Sequence, residues 1–119
     1  MVSSLNQELL PRSSVYQHLV QVARNRSSTT YSDLAKLLQI DLRDSKQRNY
    51  LSSLLAEIAE FEVENGRPML TALVLAENKS LPNKGFFDLA LELGLYRSEE
   101  KGAFHNETLQ AVYRHWGVW

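Results

Sequence analysis

Residues 44–76 read DSKQRNYLSSLLAEIAEFEVENGRPMLTALVLA, and a change of rhythm inside them decides the fold. Asp44 and Gln47 stand at the spacing of a capping pair, in which side chains satisfy the amides that a helix start leaves free. Leu51, Leu54, Leu55, Ile58 and Phe61 then recur at helical spacing, which predicts one buried stripe. Asn65-Gly66 offers a left-handed stop, and Pro68 cannot continue a helix. From Met69 to Ala76 every residue except Thr71 is apolar, the pattern of a strand buried on both faces. The helix inside 45–65 should be the longest of the chain.

Upstream, Ser14 and Gln17 have capping-box spacing, and Val15, Leu19 and Val22 follow as one stripe. This predicts a first helix from about Ser14, with residues 1–12 as a loose tail and Pro11 ahead of the helix. Thr30 and Asp33 form another capping pair before the short apolar face of Leu34, Leu37 and Leu38. Downstream, Glu77-Asn78-Lys79-Ser80 reads as a turn. Leu81 to Phe87 contains Pro82 and Gly85 and makes a poor central strand, so an irregular wing or edge is expected there. Phe87, Leu89, Ala90 and Leu93 suit a short helix closed by Gly94. A last helix starting near Ser98 would carry Phe104, Leu109, Val112 and Trp116.

The 119 residues suit one domain, residues 13–119, mainly α with a small β-hairpin or sheet. The net charge of −1 argues against a uniformly basic nucleic-acid binder. Charge is uneven, however: residues 1–50 carry +3, residues 51–66 carry −4, and the remainder is balanced. With no cysteine, disulfides and thiolate metal sites are ruled out. His18, His105 and His115 are too sparse to predict a metal, and no cofactor is expected. No apolar run approaches a membrane span, and the N-terminus lacks a secretory pattern, which predicts a cytoplasmic protein.

The order helix, helix, longer helix, strand, irregular return, helix resembles a winged helix-turn-helix domain with extra C-terminal helices. Thr30-Tyr31-Ser32-Asp33-Leu34-Ala35 is similar to the segment that opens the helix-turn-helix of the alkylguanine-DNA alkyltransferase and alkyltransferase-like family. Ser32 stands where that family has glycine. Arg48 falls roughly where the family places the arginine of its recognition helix, whereas Leu51 stands near a usually small residue. Pro68 matches the family's Pro-Cys-His-Arg junction; Met69, Leu70 and Thr71 do not. The resemblance implies a DNA-binding fold, and without the cysteine alkyl transfer is impossible, because a thioether cannot act as an anionic nucleophile.

Arg43, Lys46 and Arg48 cluster at the start of the third helix, where backbone amides and the helix dipole favour a phosphate. Lys84 on the expected wing could assist them. Glu57, Glu60 and Glu64 share a helix face and read as solvated. His105 and His115 lie ten positions apart and share no chelating face. Trp116 and Trp119 offer apolar area to a protein partner. The expectation is a non-enzymatic DNA-binding or regulatory module that contacts mainly phosphates. The alternative is a protein-interaction adaptor or small subunit without DNA binding.

Overall fold

The computed structural model describes residues 4–77, 80–97 and 99–117, with side chains from residue 11 onward. Among them the chain forms α1 (Ser4–Arg24), β1 (Thr29–Thr30), α2 (Tyr31–Leu38), α3 (Ser45–Glu64), β2 (Val74–Leu75), α4 (Lys84–Glu92) and α5 (Lys101–Trp116). The architecture is mainly α with one small sheet, as the sequence predicts.

The punctuation residues act as their chemistry dictates. Thr30 is extended and its side chain accepts the Asp33 amide, capping α2. Asp44 accepts the Lys46 amide and caps α3. Gly66 closes α3 at φ 74°, a backbone region that costs a side-chain-bearing residue roughly 1–2 kcal/mol. Arg67 then returns its amide to the Glu62 carbonyl, completing the stop.

Four expectations need correction. The first helix starts at Ser4 rather than Ser14, so part of the expected tail is helical and Pro11 lies inside it. Inside a helix proline removes one amide donor and crowds the carbonyl four residues earlier, at a cost of about 3 kcal/mol. At 21 residues α1 thereby exceeds the 20 of α3. The run after Pro68 is not one long strand: Leu70–Leu73 form a 3₁₀ turn, and only Val74–Leu75 are extended. A continuous apolar run marks burial without specifying strand or helix.

The sheet is not a hairpin either. Thr29 pairs with Val74 and Thr30 with Leu75 in parallel. Parallel strands need a crossover, here supplied by α2, α3 and the 3₁₀ turn. The return segment adds no strand; the Ala76 amide bonds the Leu81 carbonyl and the chain then enters α4 at Lys84. The last helix, expected to start at Ser98 or a nearby residue, is α5, capped by Glu100; Ser98 itself lies outside the described residues.

The 3₁₀ turn sits at the centre of the core, in contact with α1, α3 and α5. Leu70, Thr71, Ala72 and Leu73 are all buried. Val15, Leu19 and Ala23 of α1 and Leu51, Leu55, Ile58 and Ala59 of α3 close around it. His105 of α5 is buried with Nε2 2.9 Å from the Ala72 carbonyl. A carbonyl only accepts, so that nitrogen carries the proton and the histidine acts as a structural tie. Phe86 and Phe87 anchor α4 against Phe104, as core residues rather than exposed platforms.

Candidate nucleic-acid interface

The turn between α2 and α3 is built by short polar side chains. Gln39 takes the left-handed conformation at φ 59° and ends α2. The Asp41 amide donates to Gln47 Oε1 at 2.7 Å, and Gln47 Nε2 donates to Asp44 Oδ2 at 2.9 Å. Arg48 Nη1 donates to the Leu42 carbonyl at 2.8 Å. The first turn of α3 is therefore stitched to the preceding loop, which fixes where its cations stand.

The three cations of the cluster differ in their freedom. Arg43 precedes the helix, and its Nε and Nη2 hold the Asp41 carboxylate at 3.0 and 3.1 Å. Hydrogen bonding to Arg43 keeps the Asp41 carboxyl below its ordinary range and pushes the arginine up in turn. This pair is solvent-exposed, with 92% of the Arg43 side chain accessible, and it contributes little to stability. Lys46 makes no side-chain hydrogen bond or ion pair among the described residues. Arg48 keeps an exposed guanidinium with one nitrogen committed to Leu42.

Around them α3 exposes Asn49, Tyr50, Ser52 and Ser53. No acidic side chain occurs from Ser45 to Ala56. Ser52 lies one turn beyond Arg48 and lines a groove shared with Lys84. Lys84 thus reaches the α3 side of the molecule, but from the first residue of α4 rather than from a β wing. Its Nζ bonds Asp88 at 2.7 Å in an exposed pair four residues along the helix.

The expected partner surface is only half described. Trp116 is half-buried, packs edge-on against Tyr16 at 6.3 Å, and has a buried Nε1 without a partner among the described residues. Trp119 lies outside the described residues. The predicted buried stripe of α3 also fails at its end: Phe61 is 50% exposed, whereas Glu62 is fully buried. Tyr16 and Arg67 both donate to Glu62 Oε2, and the Arg67 guanidinium lies 5.2 Å from the Phe61 ring centroid. An acid four positions after Ile58, on the continuation of the stripe, was the signal for this cluster.

No three His, Cys, Asp or Glu side chains among the described residues gather as a metal site. No helix among them is long and apolar enough to cross a membrane. The chain matches no family model, no curated protein and no solved structure.

Proposed function

We propose that the protein is a non-catalytic DNA-binding module of helix-turn-helix type, acting in the cytoplasm, with α3 as the helix that meets the duplex. The observation that carries this reading is the acid-free stretch Ser45–Ala56, which exposes Lys46, Arg48, Asn49, Tyr50 and Ser53 at the end of a braced turn. Lys46 and Arg48 would neutralise phosphates, with Lys84 as a flanking contact. Arg43 joins only by exchanging Asp41 for a phosphate. The likeness of Thr30–Ala35 to the alkyltransferase-like segment supports the same reading. Without cysteine the chain has no thiolate for alkyl transfer, so the resemblance supports binding alone.

The direct test is titration of isotope-labelled protein with duplex and single-stranded DNA at low salt. Amide shifts concentrated in residues 45–53 and around Lys84 are expected. Shifts centred on Tyr16, Phe61 and Trp116 with a protein ligand, and none with DNA, would favour the adaptor reading. That second reading rests on one observation: Phe61 is half exposed beside Tyr16, their ring centroids 6.2 Å apart.

A further inference from the structure

The exposed face of α3 changes character along the helix. Glu57, Glu60, Phe61 and Glu64 stand at i, i+3, i+4 and i+7, so they share one face of its second half. All four are exposed, and Phe61 stands among the acids with half of its surface open to water. The core side of α3 is complete without it, because Leu54, Leu55, Ile58 and Ala59 are buried there and Glu62 takes the next inward position. The apolar area is wider than one ring. A groove of about 420 Å³ opens between α1 and α3, with Tyr16, Ile58 and Phe61 in its lining. Tyr16 meets Phe61 edge-on at 6.2 Å on one side and Trp116 at 6.3 Å on the other.

The charge around this groove has one sign. Glu60 and Glu64 make no side-chain hydrogen bond or ion pair among the described residues. Arg12 holds Glu57 at 2.7 Å, but both side chains are about half exposed and the contact exchanges at little cost. Arg67 is committed to the buried Glu62. The four carboxylates of Glu57, Glu60, Glu62 and Glu64 outnumber the two guanidiniums of Arg12 and Arg67. That balance repels a phosphate backbone or an anionic lipid surface and attracts lysine and arginine.

We propose that this face docks a basic amphipathic segment of another protein. An apolar anchor of the segment enters the groove against Tyr16, Ile58 and Phe61, and its flanking cations lie over Glu57, Glu60 and Glu64. α3 then serves two surfaces, cationic at its start and anionic towards its end. The proposal names the partner chemistry of the Phe61 surface and holds whether or not Lys46 and Arg48 bind DNA.

The probes are a short amphipathic peptide of leucine and lysine, a counterpart with serine for leucine and a counterpart with glutamate for lysine. Each is titrated into the labelled full chain. The leucine and lysine peptide should shift the amides of residues 57–64 and Tyr16, and bind at least about tenfold more tightly than either counterpart. Phe61→Ala should weaken it about tenfold or more. Phe61 also packs on Tyr16, so a Glu60→Gln, Glu64→Gln variant supplies a second arm that leaves the core untouched. Its Tm should hold, while affinity falls roughly threefold or more and becomes less sensitive to salt. The Lys46→Ala, Arg48→Ala variant should bind the peptide as the parent does. The proposal is overturned by shifts centred elsewhere, by either counterpart binding equally well, or by full affinity in folded Phe61→Ala or in Glu60→Gln, Glu64→Gln. A parent dimer that Phe61→Ala dissociates would also overturn it, because the occupant would then be a second copy of this chain.

Discussion

The hydroxyl of Tyr16 on α1 donates to Glu62 Oε2 on α3 at 3.0 Å, across 46 positions of the chain. Arg67 Nη2 bonds the same oxygen at 2.8 Å, from the segment just past the end of α3. Glu62 is fully buried and its Oε1 has no partner among the described residues. A buried carboxylate so placed depends on every donor it has. Tyr16→Phe should therefore lower stability by about 1.5–3 kcal/mol, read from urea unfolding. A variant as stable as the parent would show that the bond is replaced by solvent.

The alkaline limb of stability should reflect buried phenols. Burial raises the pKa of Tyr16, Tyr31 and Tyr113 above the ordinary 10.0, with Glu62 adding to the effect at Tyr16. A raised pKa means that the folded state keeps its proton longer than the unfolded chain. The contribution is complete below the ordinary value and is lost as pH rises through the folded value. The Tm should fall beyond about pH 10, and the Tyr16→Phe, Tyr113→Phe double variant should fall less steeply. Parallel curves for parent and variant would refute this assignment.

The 3₁₀ turn should be the most sensitive part of the core. Leu73 is fully buried at the meeting of α1, α3 and α5. Leu73→Ala should cost about 2–5 kcal/mol, the transfer loss plus the cavity left behind. A loss under about 1 kcal/mol would mean that the surrounding helices collapse into the space.

Thr30 both pairs in the sheet and caps α2. Thr30→Ala should lower stability by about 1 kcal/mol, while Thr30→Ser should retain most of it. Equal losses in the two variants would attribute the effect to the strand position and not to the hydroxyl.

What the sequence discloses is largely what local chemistry controls. The Thr30 and Asp44 caps and the Gly66 and Gly94 stops depend on neighbouring residues and are legible, and the apolar side chains of Phe86 and Phe87 mark them for the core. The parallel sheet is not, because two residues per strand carry no period and their pairing is set 45 positions away. Phe61 and Glu62 were exchanged in the burial pattern because a stripe reads hydrophobicity and cannot foresee that Tyr16 and Arg67 accommodate an acid. At the candidate interface, the positions of Lys46 and Arg48 were readable. The Asp41 grip on Arg43 and the bond from Arg48 to Leu42 depend on the fold of the turn. The groove beside Phe61 joins residues from two helices and had no contiguous signature.

The central claim is that Lys46 and Arg48 neutralise DNA phosphates. Affinity for a duplex across a salt series, for the parent and for a folded Lys46→Ala, Arg48→Ala double variant, tests it most directly. Two lost contacts should reduce the slope of log affinity against log salt by about 1.8, at ~0.9 per phosphate. Equal slopes, or no binding by the folded parent at low salt, would contradict the account and leave the adaptor reading in its place.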